Sequence, residues 1–262
     1  MITLERREGR PLRIGHRGAA ALAPENTIAS FRAAVEAGVD LVEFDVLGLR
    51  SGEIVVAHSA DLREMSHGAA EGDGRSLSLA ELRETCPDLP TLDEALSFFA
   101  DEATATGLHV DLKSAGAAED VAAALRRAGL VDRTLLSSFH AGALRRLRGL
   151  EPALRTGMSF PRDRLRFDGK PRLDPAVRGG LRTLRTATPA LVGLLLARSR
   201  GSALVLHHGL VSRHVVSRSH ARDAPVVAWT VDTREELARV DEAGVDAVVT
   251  NNPSIFVSTL TS

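Results

Sequence analysis

The sequence predicts a (β/α)8 TIM barrel, and three observations carry that expectation. Short apolar runs alternate with amphipathic stretches, the pattern of parallel strands joined by crossover helices. Eight such runs can be read along the chain, at residues 12–15, 41–46, 108–112, 134–139, 155–160, 203–207, 226–231 and 246–250. The length of 262 residues suits one such barrel, which commonly needs about 250. No repeat, low-complexity tract or linker interrupts the pattern, so residues 1–262 read as a single domain.

The connecting elements follow from the same pattern. Residues 117–128 and 234–243 are the clearest helices, and each is followed by a glycine, Gly129 and Gly244, at the usual stop position. Residues 54–57 follow the second strand too closely for a crossover helix. With the turn signal Ser51-Gly52 before them, they predict a small hairpin insertion after that strand. Residues 161–180, rich in Arg and Pro, read as an irregular stretch, either a solvated surface loop or an active-site loop.

Composition excludes several classes. A hydrophobic fraction of 44% and a charged fraction of 26% are ordinary for a globular protein. A formal net charge of -1 gives no electrostatic reason to expect nucleic acid as a partner. Tyrosine is absent, so a tyrosine nucleophile is excluded, and the lone Cys86 cannot form an intrachain disulfide. The longest apolar patch, residues 190–197, falls well short of the roughly 18 residues of a membrane span. The N-terminus has no apolar stretch of signal-peptide length. A soluble cytoplasmic protein is expected. Oligomeric state is not legible.

In barrels of this kind the active site lies at the carboxyl ends of the strands, and the unusual polar residues gather there. Alternation along residues 41–46 puts Glu43 and Asp45 on one face and Val42, Phe44 and Val46 on the other. Two carboxylates facing a barrel interior repel each other and are costly to desolvate, and a shared hard cation removes both difficulties. An ion pair with a buried arginine is the alternative. On the third strand Asp111 and Lys113 share a face, as a further metal ligand and a phosphate-binding point charge or as a simple ion pair. His16 ends the first strand, Arg17 follows it, and His58 ends the hairpin. Two histidines can serve as general acid and base near neutral pH, and a guanidinium can grip phosphate through two hydrogen bonds. His207 and His208, ending the sixth strand, are further candidates for the mouth of the site; His67, His140, His214 and His220 receive no role. Trp229, the sole tryptophan, is either core or a flat face for substrate.

At these residues the chain resembles the glycerophosphodiester phosphodiesterase family. Gly15-His16-Arg17-Gly18 and Pro24-Glu25-Asn26-Thr27 resemble its opening signature, and Glu43-Phe44-Asp45-Val46 its metal-binding strand. Ile54 to His58 with Asp61-Leu62 resembles the segment of its second histidine, and Pro90-Thr91-Leu92 the start of the next helix. Asp111-Leu112-Lys113, Ser138-Phe139, Trp229-Thr230-Val231 and Gly244-Val245-Asp246 to Thr250 complete the ordered series. The resemblance implies a barrel enzyme of lipid metabolism that binds Mg2+ or Ca2+. It implies hydrolysis of small-molecule glycerophosphodiesters to an alcohol and sn-glycerol 3-phosphate. Carried over position by position, it makes Glu43, Asp45 and Asp111 metal ligands and His16 and His58 the acid–base pair. Arg17 and Lys113 would hold the phosphate, Trp229 would lie near the glycerol, and Glu25 and Asn26 would brace the first loop. A related barrel phosphodiesterase acting on lysophospholipids or phosphoinositides, or a catalytically impaired binding protein, shares the same motifs.

The chain departs from the family pattern at three places. Ser59 follows the second histidine where Asp is usual, so Ser59→Asp is expected to raise kcat. Asp111 stands where Glu is common and is one methylene shorter. The closing Thr-Asp-x-Pro reads Thr250-Asn251-Asn252-Pro253, without its carboxylate.

Overall fold

The computed structural model describes residues 2–162 and 175–259. Among the described residues nine strands form, in chain order: β1 (Leu12–Gly15), β2 (Leu41–Gly48), β3 (Ile54–Val56), β4 (Gly107–Leu112), β5 (Thr134–Ser138), β6 (Arg155–Phe160), β7 (Ala203–His207), β8 (Val226–Trp229) and β9 (Ala247–Thr250). The helices are α1 (Ile28–Glu36), α2 (Leu62–Met65), α3 (Leu79–Thr85), α4 (Leu92–Asp101), α5 (Ala118–Arg127), α6 (Ala141–Leu150), α7 (Pro175–Ser199), α8 (Arg213–His220) and α9 (Arg234–Glu242). The sheet runs β1-β9-β8-β7-β6-β5-β4-β2-β3, and β1 also pairs with β2. That pairing closes the ring: eight strands run parallel, and β3 lies antiparallel on β2. The predicted barrel is therefore the observed fold. A 3-10 segment, Pro253–Thr259, follows β9 where an eighth crossover helix would stand.

Alternation sorts the two faces of the ring as expected. Val42, Phe44 and Val46 point outward and pack with Phe31, Phe98 and Phe99 of α1 and α4, with the Phe44 and Phe99 rings stacked at 5.7 Å. Inside, Leu12, Ile14, Leu41, Leu135, Val205, Val227 and Val249 form a separate apolar plug, with Leu4 and Ile2 of the N-terminal segment joining it. Burying these side chains contributes on the order of 1.5–3 kcal/mol each. The plug also denies water a path beneath the polar residues of the opposite end. Register then sets the floor of the site, because Asp45 pairs with Asp111 and Asp111 with Ser137. These three side chains stand in one row across β2, β4 and β5.

The structure corrects three expectations. The insertion after β2 is larger than a hairpin. Beyond β3 it carries α2 and α3, sealed by an apolar cluster of its own that includes Leu47, Val55, Leu62, Leu82 and Cys86. Helices of four and seven residues are too short to show a 3.6-residue period, which is why the pattern hid them. Residues 134–139 and 226–231 overshoot, since β5 ends at Ser138 and β8 at Trp229. Of the irregular stretch 161–180, residues 175–180 already belong to α7, while 163–174 lie outside the described residues. Gly179-Gly180 looks like a helix breaker by propensity but is tolerated within this 25-residue helix. No helix among the described residues is long and apolar enough to cross a membrane.

Candidate active site

All eight residues to which the family resemblance gives a catalytic, metal-binding or substrate-binding role line one cavity of about 450 Å³ at the carboxyl end of the barrel. The first wall is built by the turn after β1. Arg17 and Gly18 both adopt positive φ, 50° and 88°, which folds the chain back onto α1. A Cβ at Gly18 would sit 2.6 Å from the carbonyl carbon of Ser30, so only glycine fits. Thr27 and Ser30 form a capping box at the start of α1, and Ser30 Oγ donates to the Arg17 carbonyl at 2.8 Å. Gly18→Ala is expected to cost about 2–4 kcal/mol, from positive-φ strain plus overpacking. Urea unfolding checks this, and a change below the scatter of the measurement would mean the loop relaxes freely.

The segment Glu25-Asn26-Thr27 braces this turn. Arg17 Nη1 donates to Glu25 Oε1 at 2.6 Å, while Asn26 Nδ2 donates to Asp45 Oδ2 at 3.0 Å and its Oδ1 accepts the Asp45 N–H at 3.2 Å. Glu43 accepts the Arg17 backbone N–H at 2.8 Å. Arg17 Nε lies 3.2 Å from Asp45 Oδ2 without the alignment of a hydrogen bond. Burial opposes the guanidinium's charge, but Asp45, Glu25 and Glu43 outweigh it and raise its pKa.

Carboxylates dominate the floor. Lys113 Nζ lies between Asp45 Oδ1 at 2.8 Å and Asp111 Oδ2 at 2.5 Å. Ser137 Oγ donates to Asp111 Oδ1 at 2.6 Å and is itself 2.9 Å from His109 Nε2, which is therefore the protonated ring nitrogen. Burial, and then repulsion from Asp45 and Asp111, pushes the Glu43 carboxyl well above the usual carboxylate range. Asp45 goes the other way: burial penalises its charge, but Lys113 and Arg17 overcome that and hold it well below the usual range. Among the described residues, no three His, Cys, Asp or Glu side chains are gathered at metal-binding spacing. The lysine ammonium instead bridges the two aspartates.

The histidines stand on opposite supports. His16 Nδ1–H donates to Asn251 Oδ1 at 2.6 Å, and Asn251 Nδ2 donates to Asp232 Oδ2 at 2.7 Å. Its Nε2 lies 3.9 Å from Glu43 Oε2. Burial, with Arg17 adding to it, lowers the His16 pKa to about 4, so the ring is neutral at pH 7. His58 Nδ1–H donates to Glu64 Oε1 at 2.5 Å. Trp229 packs edge-on against Phe139 and His207, with centroids 6.0 and 5.5 Å away. Its buried Nε1–H has no hydrogen-bond partner among the described residues.

Some residues take places that the sequence did not suggest. His207 supports the Trp229 ring and accepts the Gly209 N–H, and His208 lies against Arg239; neither lines the cavity. His140, given no role, does line it, and its position just past a strand end was the available signal. His67 lines a second, smaller cavity of about 170 Å³ beside the insertion, while His214 and His220 lie on α8. Glu64, His109, Ser137 and Asp232 were not singled out.

Residues 16–255 match the glycerophosphoryl diester phosphodiesterase family. The glycerophosphodiester phosphodiesterase of Caldanaerobacter subterraneus subsp. tengcongensis is 26% identical, over 94% of this chain and 96% of the relative. A phosphodiesterase of Oleispira antarctica, solved in complex with the product sn-glycerol-3-phosphate, superposes with a TM-score of 0.72 at 25% identity, covering 97% of this chain and 98% of that one. The glycerophosphodiester phosphodiesterase of Thermotoga maritima shares the fold, with a TM-score of 0.70 at 21% identity over 95% of this chain and 98% of that one. A match across nearly the whole barrel, on a chain whose motif residues meet in one cavity, makes this protein a member of the glycerophosphoryl diester phosphodiesterase family and a phosphoric diester hydrolase.

Proposed function

We propose that the chain hydrolyses glycerophosphodiesters to an alcohol and sn-glycerol 3-phosphate, using His16 and His58 as base and acid and a divalent cation, Mg2+ or Ca2+, at Glu43, Asp45 and Asp111. The observation that carries this reading is the convergence of both histidines and all three carboxylates on one cavity. By donor type the carboxylates suit such an ion, although Lys113 bridges two of them and the three are not gathered at metal-binding spacing. They are hard oxygen donors, and the charge that Glu43 resists in burial beside Asp45 and Asp111 is what a hard cation offsets. When bound, the cation supplies positive charge opposite the phosphoryl oxygens. The fit requires Lys113 to leave its bridge between the aspartates and turn its ammonium to the phosphate, with Arg17 completing the grip.

The two histidines divide the proton transfers by their supports. His16 is neutral, and its Nδ1–H is committed to Asn251, so Nε2 offers a lone pair to an attacking hydroxyl. His58 then protonates the leaving alcohol. Trp229 lies beside the glycerol and offers it a ring face. The lone thiol, Cys86, is buried in the insertion's own cluster and fits a reducing cytoplasm.

The nucleophile is the glycerol 2-hydroxyl. Ser59 and Ser137 of the cavity wall are tied to Glu64 and Asp111, whereas a hydroxyl held beside phosphorus has a large effective molarity. A cyclic phosphate forms and water opens it. Diesters lacking that hydroxyl are therefore expected to be cleaved at least roughly 10²-fold more slowly. Equal kcat for the deoxy analogue would point to attack by water instead. The overall reading is tested by coupled release of sn-glycerol 3-phosphate from several glycerophosphodiesters with cations varied. Failure on every substrate and ion would end it.

A further inference from the structure

Glu64 sits six residues beyond His58, on the short helix α2 of the insertion. Each of its carboxylate oxygens has its own donor. Oε1 accepts His58 Nδ1–H, and Oε2 accepts the Ser59 hydroxyl at 2.5 Å. Ser59 Oγ in turn accepts the Asp61 backbone N–H at 3.2 Å. The Asp61 side chain caps α2 through the Arg63 N–H. Leu62 anchors the helix in the insertion's apolar cluster. Arg17 Nη1 stands 3.8 Å from Glu64 Oε1, and Glu25 holds that same nitrogen. The carboxylate is thus fixed from three sides.

The geometry points to Glu64 as the positioning residue of His58: it holds the imidazole by Nδ1–H, so that Nε2 is the nitrogen that carries the proton to the leaving alcohol, and the ring left behind is the Nδ1–H tautomer. A carboxylate can only accept. Its hydrogen bond from His58 does most to hold the Glu64 carboxyl at about 2, against the opposing effect of burial and with Ser59 helping, so it is an anion across the working range. The inference rests on the proposed role of His58 in the chemistry, and it changes what Ser59 means. Where the resemblance leads one to expect an aspartate beside the histidine, this chain supplies the carboxylate from one helical element further on, and Ser59 is the donor that steadies it. An aspartate at 59 would face Glu64 across a hydrogen-bond distance. The expectation that Ser59→Asp raises kcat is therefore reversed.

The test combines 15N NMR of the His58 ring, assigned by comparison with His58→Gln, with kinetics on a glycerophosphodiester. With the His58 ring neutral, the unaltered protein is expected to show the Nδ1–H tautomer, and Glu64→Ala a mixture of both tautomers. Glu64→Ala is expected to lower kcat at least roughly tenfold with KM little changed. Ser59→Asp is expected to lower kcat where Glu64 is present and to raise it in the Glu64→Ala background. An unchanged His58 tautomer in Glu64→Ala, wild-type kcat in that variant, or a gain from Ser59→Asp beside Glu64 would each overturn the assignment. If the unaltered protein cleaves no glycerophosphodiester, the functional reading fails, and the NMR comparison still decides the pairing.

Discussion

His16→Ala and His58→Ala are each expected to lower kcat by roughly 10²-fold or more, the scale of general acid–base catalysis. The two losses have different structural contexts. His16 is mostly buried, with 17% of its side chain exposed, and its ring lies between Asn251 and Glu43, so removing it also leaves a gap under the first loop. His58 is partly exposed and rests on Glu64, so its removal disturbs less packing. Steady-state kinetics with a stability check on each variant separates chemistry from folding. The double variant should lose much less than the product of the two single losses, because base and acid serve one reaction. A histidine whose single variant keeps near wild-type kcat takes no part in the chemistry.

The supports of the two histidines share a pattern. At both, a carboxylate usual in the family pattern is replaced by a neutral side chain, Ser59 in one case and Asn251 in the other. At both, a carboxylate lies one link further on. Asn251 Oδ1 accepts a hydrogen bond from His16 Nδ1–H and its Nδ2–H donates one to Asp232, while Ser59 donates to Glu64. The charge is displaced and not lost.

This pattern also marks where the sequence stopped being legible. The strands and the inward placement of Glu43, Asp45, Asp111 and Lys113 follow from a period of two, which short-range alternation states directly. His16 and Asn251 lie 235 positions apart, and no local pattern in one chain connects them. Glu64 is only six positions from His58, but their meeting depends on a four-residue helix that leaves no periodic trace. His109 shared the face of Asp111 in the alternation. Its link through Ser137 depends on the register between β4 and β5, which a sequence does not display.

Chelation of divalent cations is expected to abolish turnover, and Mg2+ or Ca2+ to restore it. Turnover by metal-free protein at the full rate would end the cation reading. Glu43→Gln separates binding from folding. The natural expectation for a lost ligand is a weaker barrel mouth, with Asp45 left uncompensated. Here Asp45 keeps Lys113 at 2.8 Å, Asn26 at 3.0 Å and Arg17 at 3.2 Å whatever stands at 43. Glu43 is the group under stress, raised by burial and by its like-charged neighbours. For a carboxyl raised on folding, the folded state holds its proton more tightly than the unfolded state does. Stability of the metal-free protein therefore falls as pH climbs from the ordinary carboxyl value through the raised one. Glutamine keeps an oxygen for the Arg17 N–H and has no charge to desolvate. Metal-free Glu43→Gln is thus expected to be more stable than the parent at pH 7 by about 1–2 kcal/mol, with the gain vanishing in acid. Its cation affinity should drop by roughly 10²-fold or more, since a charged ligand is gone. Urea unfolding across pH, with calorimetric titration of Mg2+ and Ca2+, reads both effects. A variant that is less stable without metal at pH 7 would show that Glu43 supports the fold through its charge, and a variant that binds the ion undiminished would remove Glu43 from the ligand set.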